Sequence, residues 1–276
     1  TQDFITSLAG SFLSILFLFT ILVLLITPIF IFIFAPGFYY DDSKRIIAID
    51  LLRIMFPYLA LISLVSFASG IQNTHEKFSI PAFTPLIFNI TLIVAAIFIA
   101  PRINLPVYAL AWGVLIAGFL QLLIHIYALK NINRLPTPKI NFSHPGQINV
   151  LKLMIPAILA GGIVQINLLI DTIFASLLQT GSPTWLYVSD RLIQFPMGIF
   201  AIAIGTILLP TLSKIDVATN KKLFIHELQK GQRFVLLIGI PSLIGLYLCS
   251  IDLIGTIFFR GEFTAYDVQQ ASLSLM

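Results

Sequence analysis

Charged residues are scarce in this sequence: of its 276 residues only 10% are Asp, Glu, Lys or Arg, whereas 58% are hydrophobic. Soluble globular domains carry about 25% charged residues. The mean hydropathy of +0.99 is correspondingly high. This composition excludes an ordinary soluble domain and predicts a polytopic membrane protein.

Cysteine, histidine and catalytic motifs are also too sparse for several kinds of chemistry. The one cysteine, Cys249, cannot form an internal disulfide, and the four histidines lie far apart without metal-ligand spacing. We find no Gly-rich phosphate loop and no Ser-His-Asp set. The basic residues lie in loops rather than in a stripe with interleaved aromatics. We therefore predict a protein without metal or cofactor, which is not an enzyme and does not bind nucleic acid.

Long hydrophobic runs dominate what is present. Each of seven runs is long enough to cross a bilayer as a helix; they cover residues 4–34, 46–71, 83–100, 107–129, 153–178, 185–209 and 234–259. Residues 264–276 are expected to begin an eighth helix. The first residue is Thr1 and no basic segment precedes the first run, so no cleaved signal peptide is indicated and we expect the chain to begin inside a longer protein. The predicted fold is all-α.

The distribution of Lys and Arg predicts the orientation. Loops on the side where the first run begins hold ten of these residues and loops on the opposite side hold five. Because cytoplasmic loops carry the excess of positive charge, the first run should begin in the cytoplasm.

A weak internal repeat indicates two similar halves. Residues 33–42 read IFAPGFYYDD and residues 258–267 read FFRGEFTAYD, and the two strings align without a gap. They lie six predicted helices apart, so both copies face the same way, as in transporters built from two parallel halves.

Ionisable side chains inside two of the runs are the candidate functional residues. Asp190 and Arg191 lie within run 185–209, and Asp171 lies within run 153–178 four residues after Asn167, on the same helical face. A charged group at membrane depth costs several kcal/mol or more unless it faces water or a partner. We therefore predict that these residues line a polar cavity.

Arg191 is the residue best suited to bind a ligand in such a cavity. Its planar guanidinium stays protonated and donates paired hydrogen bonds to a phosphate or diphosphate. Gln194, one turn later, could add a hydrogen bond, while Asp171 and Asp190 tune the position of Arg191. Two alternatives remain open. In the first, Asp171, Asp190 and Arg191 have only a structural role and tie two helices together by ion pairing. In the second, Gln194 only satisfies a backbone carbonyl freed by Pro196.

Several long strings carry a resemblance to a known family. They read LLRIMFPY, SGIQNTHEKFSIPAFTP, INLLIDTIFASLLQTGS and WLYVSDRLIQFPMGIFAIAIGTILLPTLSK, together with the FAPGF that ends the first run. In these strings, along nearly the whole chain, the sequence resembles the MurJ (MviN) family of lipid II flippases in the MOP superfamily.

The resemblance implies a two-lobed transporter with about fourteen helices in the bacterial inner membrane. The seven runs would be the family's third to ninth helices, so the first two and the last are expected to be missing. Residues 1–135 would then be the rest of the N-terminal lobe, 136–152 a basic cytoplasmic linker, and 153–276 the start of the C-terminal lobe. Arg191 falls on the family's cavity arginine.

The resemblance also implies a function. The family moves lipid II, an undecaprenyl-diphosphate-linked disaccharide peptide, from the cytoplasmic to the periplasmic leaflet by alternating access, using a cationic cavity and a bias from the membrane potential or a cation gradient. Membrane lipids and the cell-wall synthesis machinery are the further partners expected. The alternatives are a MATE-like exporter of drugs or of another lipid-linked sugar, an enzyme acting on a polyprenyl phosphate, and a structural subunit.

Overall fold

Every regular element in the described part of the chain is helical. The structure is a computed structural model that describes residues 2–142, 145–215 and 220–276. Its α-helices are α1 (Gln2–Leu25), α2 (Thr27–Phe34), α3 (Pro36–Tyr39), α4 (Asp42–Met55), α5 (Pro57–Thr74), α6 (Ser79–Val94), α7 (Val107–Asn131), α8 (Pro145–Leu177), α9 (Ser182–Pro196), α10 (Ile202–Ser213), α11 (Lys221–Leu248), α12 (Ser250–Phe258) and α13 (Ala265–Leu275). Two π-helical turns, Ala95–Ile99 and Met197–Ala201, follow α6 and α9.

Within the described residues, six helical segments are long and apolar enough to cross a membrane. They are Asp3–Leu25, Asp42–Thr74, Ser79–Arg102, Val107–Asn131, Gly146–Leu177 and Lys221–Leu248. Each overlaps one of the seven predicted runs, although Lys221–Leu248 begins and ends more than ten residues before the predicted run 234–259. The remaining run, 185–209, is not among the six but is helical through α9, the π-helical turn and α10. The predicted all-α polytopic membrane fold is therefore confirmed.

The first predicted run is divided into two helices at Ile26, which adopts φ −100° and ψ 18°. Pro28 has no N–H, so the helical hydrogen bond to the Leu24 carbonyl cannot form. The buried Thr27 hydroxyl takes its place, lying 2.9 Å from the Val23 carbonyl oxygen and 3.0 Å from that of Leu24. A membrane helix tolerates proline where a side chain satisfies the freed carbonyl in this way.

The contacts group the chain into two units, Thr1–Ile173 and Phe174–Met276. In the first unit α7 packs against α4, α5 and α6. Its small residues permit close approach: a Cβ added at Gly113 would lie 2.9 Å from the Ala95 side chain, and one at Gly118 would lie 2.7 Å from the Tyr58 ring. Small residues at such crossings are typical of helix packing in membranes.

A buried polar cluster joins three helices of the first unit. Gln72 on α5, Thr84 on α6, and Gln121 and His125 on α7 are all buried. The Gln72 amide nitrogen lies 2.8 Å from His125 Nδ1, and His125 Nε2 lies 2.9 Å from the Thr84 hydroxyl. An amide nitrogen can only donate, so the neutral ring carries its proton on Nε2 and donates to Thr84. The Thr84 hydroxyl donates in turn to the Ile80 carbonyl at 3.1 Å.

The predicted linker 136–152 is attached to α1 where it is described. The Lys139 amide donates to the Thr6 carbonyl at 3.2 Å, and the Ser7 hydroxyl donates to the Asn141 carbonyl at 2.9 Å. Gln147 lies on α8, which begins at Pro145, eight residues before the predicted start, and its amide donates to the Ser7 hydroxyl at 3.0 Å. Residues 143 and 144 lie outside the described residues. The division into lobes at 135 and 153 stays a prediction.

The second unit is built around α9, α12 and α13. Trp185, Val188, Ile254, Val268 and Ala271 form its buried core. The expected start of an eighth helix is α13, which begins with a capping box in which the Thr264 hydroxyl and the Asp267 carboxylate each accept from the other's backbone amide.

The two strings of the predicted repeat occupy similar local positions. Each begins at the end of a short helix, α2 or α12, which itself follows a long helix after a one-residue break. Each then leads into a capped helix, with Asp41 capping α4 and Thr264 capping α13. This local likeness supports the predicted repeat.

Candidate functional site

The five candidate residues lie on two helices. Asn167 and Asp171 are exposed on α8, and Asp190, Arg191 and Gln194 lie on α9. The α8 pair belongs to the first unit and the α9 residues belong to the second. The pairing of Asp171 with Arg191 therefore stays a prediction.

One face of α9 is fixed to α13. Trp185, Val188, Ser189 and Leu192 recur at the three- and four-residue spacing of a helix and pack into the core of the second unit. The Trp185 indole nitrogen donates to the Asp267 carboxylate at 2.8 Å, and the Ser189 hydroxyl donates to the Ala271 carbonyl at 2.8 Å. Together these contacts fix the rotation of α9 about its axis.

The start of α9 is set by Gly181. This residue has φ 107°, in the left-handed region that favours glycine, and directly precedes the helix. A Cβ at this position would lie 2.7 Å from the Trp185 ring. The tight turn thus brings the backbone against the indole that anchors the helix.

The opposite face of α9 carries Tyr187, Arg191 and Gln194, all exposed. Arg191 Nη1 donates to Gln194 Oε1 at 3.2 Å, which confirms that the two side chains share a face. The Arg191 guanidinium carbon lies 4.7 Å from the centre of the Tyr187 ring, a distance suited to a cation–π contact. Two neighbours, one on either side along the helix, therefore hold the guanidinium.

Within the described residues, this arrangement leaves most of the Arg191 hydrogen-bond capacity available. A guanidinium has five N–H donors, and the bond to Gln194 uses one of them. The remaining donors can meet two oxygens of a phosphate group in the paired geometry that makes arginine an anion-binding residue. The α9 face is thus chemically suited to bind an anion.

Tyr187 is the residue of this face that sequence reasoning missed. Its spacing of four residues from Arg191 was the available signal, because side chains four apart on a helix are neighbours. An aromatic residue in an apolar run does not by itself distinguish a ligand-binding position from a lipid-facing one.

Asp190 does not pair with its neighbour. Successive residues on a helix point about 100° apart, and Asp190 is half-buried while Arg191 is exposed. In the part of the second unit that the structure describes, no salt bridge joins Asp190 to Arg191. The alternative of a structural ion pair gains no support from these two residues.

A separate cavity of about 420 Å³ lies beside α9 in the second unit. Its walls are almost entirely apolar, and they include Ile193, Met197, Phe200, Ile238 and Leu243. Among the described residues no charged side chain lines it, so it is unsuited to the anion that Arg191 would bind.

Two adjacent carboxylates, Asp41 and Asp42, have local structural roles at the start of α4. Asp41 caps α4, and hydrogen bonds from the Ser43 hydroxyl and then the Lys44 amide lower the pKa of its carboxyl group to about 2. Asp42 forms a salt bridge with Arg45 at 2.6 Å. Among the described residues, no three His, Cys, Asp or Glu side chains come close enough to hold a metal ion together.

Comparison with known proteins identifies the family. The chain matches the family described as "Lipid II flippase MurJ" over residues 1–276. It is 39% identical to the lipid II flippase MurJ of Burkholderia cenocepacia over 249 residues, which are 89% of this chain and 48% of that protein. It is 38% identical to the probable lipid II flippase MurJ of Vibrio cholerae over 283 residues, covering 100% of this chain and 54% of that one.

A solved structure is similar as well. The structure described as lipid II flippase MurJ in an inward closed conformation matches with a TM-score of 0.82 and 28% identity, over 99% of this chain and 56% of that chain. The chain thus spans about half the length of the relatives it matches. From its sequence and its helical fold alike, the chain belongs to the lipid II flippase MurJ family.

Proposed function

We propose that the protein moves lipid II from the cytoplasmic to the periplasmic leaflet of the inner membrane by alternating access, with Arg191 binding the diphosphate in a cationic cavity. Its relatives bear the name of lipid II flippases, which are transporters. The observation that carries the residue-level proposal is the position of Arg191, exposed on α9 while the opposite face of the helix is anchored to α13.

The diphosphate is the part of the cargo that an arginine can recognise. Two adjacent phosphates offer several anionic oxygens, and paired N–H···O bonds from one guanidinium fix both the distance and the plane of approach. Gln194 and Tyr187 restrain the guanidinium before the cargo arrives, so less side-chain entropy is lost on binding.

The remaining candidate residues modulate this site in the proposed cycle. Asp190 lies beside Arg191 on α9, and Asp171 and Asn167 share one face of α8. Carboxylates near a bound anion favour its release, because they compete for the guanidinium and repel the phosphate. The membrane potential or a cation gradient would bias the cycle toward export.

The proposal is tested by replacing Arg191 in the full-length protein when it is the sole flippase of a host cell. We expect Arg191→Ala to reduce the lipid II that becomes accessible outside the membrane at least tenfold, since a hydrogen bond to a charged group contributes about 1.5–3 kcal/mol. Arg191→Lys should retain part of the activity, because the charge remains but the paired geometry is lost.

Arg233→Ala is the matched control, because it removes another exposed arginine, on α11. Protein level in the membrane is measured for all three variants. Undiminished export by Arg191→Ala would refute the role of Arg191. Absence of lipid II export by the unmodified protein would instead favour another lipid-linked sugar or a drug as cargo.

A further inference from the structure

The exposed face of α9 carries an aromatic side chain, Tyr187. Helix packing does not explain why it lies there. Tyr187 is 55% exposed, and α9 is already anchored by Trp185 and Ser189 on its other face. Within the described residues the Tyr187 hydroxyl has no hydrogen-bond partner, and the only group placed over its ring is the Arg191 guanidinium. More than half of the Tyr187 surface is therefore accessible.

An open aromatic ring beside an anion-binding group is suited to a sugar phosphate. One face of a pyranose ring presents mainly C–H groups, which pack against the apolar face of an aromatic side chain. The sugar hydroxyls around its edge can bond to the phenol, because tyrosine combines a large apolar surface with a polar end. Arginine alone binds the phosphate without distinguishing what is attached to it.

The spacing along α9 matches the order of groups in the cargo. Tyr187 and Arg191 are four residues apart, which is about 6 Å along the helix axis. In lipid II the first sugar is bonded directly to the diphosphate, so their binding groups must also be neighbours. By the orientation that the basic loops predict, Tyr187 lies on the periplasmic side of Arg191, the side toward which the head group must leave.

We propose that Tyr187 is a second cargo-binding residue, which packs against the first sugar of the lipid-linked head group while Arg191 holds the diphosphate. This inference rests on the function proposed above. Under this proposal, Tyr187 distinguishes a sugar-bearing cargo from the bare polyprenyl diphosphate. Arg191 binds the diphosphate that both ligands carry.

The competing explanation is that Tyr187 only positions Arg191 through the cation–π contact. The two explanations differ in which ligands a substitution affects. A positioning residue acts through the guanidinium, so its loss weakens every diphosphate ligand equally. A sugar-binding residue affects only ligands that carry the sugar.

The test measures the binding of two ligands, lipid II and undecaprenyl diphosphate, to the full-length protein in detergent micelles. We expect Tyr187→Leu to weaken lipid II binding about three- to tenfold, the range that one aromatic contact supplies, and to change undecaprenyl diphosphate binding less than about twofold. Tyr187→Phe keeps the ring and should retain most of the lipid II affinity. Tyr127→Leu, which replaces an exposed tyrosine of α7, is the matched control and should change neither.

Equal weakening of both ligands by Tyr187→Leu, or no weakening of either, would overturn the proposal. The Arg191→Ala variant separates this outcome from a failure of the proposed function, because it should weaken both ligands. If Arg191→Ala leaves both affinities unchanged while Tyr187→Leu weakens lipid II alone, the role of Arg191 fails and the sugar contact stands. If the unmodified protein binds neither ligand, both proposals are refuted.

Discussion

Single residues decide where the guanidinium of Arg191 is held. Ser189 and Trp185 anchor one side of α9, and Tyr187 and Gln194 contact the guanidinium on the other side. None of these four residues is charged, so neutral groups position a guanidinium that the sequence predicts to lie at membrane depth. No carboxylate among the described residues of its unit is bonded to the guanidinium, so an anionic ligand does not have to displace one.

The turn that begins α9 and places Trp185 depends most directly on Gly181. We expect Gly181→Ala to destabilise the protein by about 1–2 kcal/mol or more, because an L-residue in the left-handed region is strained and its Cβ would meet the Trp185 ring. Thermal unfolding in detergent measures the effect.

Gly245→Ala on α11 is the control for this substitution. Nothing lies within 4 Å of a Cβ at Gly245, so alanine there should be neutral or stabilising by up to about 1 kcal/mol. Equal unfolding temperatures for the two variants would contradict the proposed importance of the turn.

At the scale of elements, the ends of α5 and α7 are closed by the same hydrogen-bond pattern. After α5 the Lys77 amide donates to the Gln72 carbonyl at 2.9 Å and the Glu76 amide donates to the Asn73 carbonyl at 3.1 Å. After α7 the Arg134 amide donates to the Leu129 carbonyl at 2.9 Å in the corresponding way. Both are Schellman motifs, whose penultimate residue is left-handed. Glu76 has φ 57° and Asn133 has φ 54°.

Glu76→Gly should stabilise the protein by about 1 kcal/mol, because glycine adopts the left-handed conformation without the strain that a glutamate side chain causes. The measurement is again thermal unfolding in detergent. Asn133→Gly should give a smaller gain, since asparagine tolerates this conformation better than glutamate does. A loss of stability in Glu76→Gly would mean that the exposed glutamate side chain makes an important contact.

At the scale of the whole molecule, the protein is a multi-pass protein of the bacterial inner membrane. Six membrane-spanning segments lie within its described residues, and its relatives are MurJ flippases. Apolar helices with buried small residues at their crossings give each unit its packing, while many large apolar side chains are exposed.

The predicted orientation can be tested with single cysteines in a Cys249→Ala background. The segment Asp42–Thr74 separates position 40 from position 77. We expect an impermeant thiol reagent applied to spheroplasts to label Tyr40→Cys but not Lys77→Cys, because the loops with more Lys and Arg stay in the cytoplasm. Permeabilised cells should label both. The reverse pattern in intact spheroplasts would refute the orientation.

Much of the architecture could be predicted because its signals are local. Apolar length marked the membrane spans, and the intramembrane charges marked α9 and α8 as candidate helices. The break at Ile26 was missed because a proline inside an apolar run does not reveal whether a neighbour such as Thr27 will satisfy the freed carbonyl. The cluster of Gln72, Thr84, Gln121 and His125 was missed because its members lie up to 53 residues apart along the chain.

The sequence by itself determined the membrane class, the helical spans, the expected orientation and the identity of Arg191 as the anion-binding candidate. These depend on hydrophobicity and charge, which each residue carries wherever it lies. Only the tertiary structure decided that α9 is anchored to α13 through Trp185 and Ser189. The rotation of a helix about its axis is set by what packs against it, and in α9 that partner is α13, about eighty residues further along the chain.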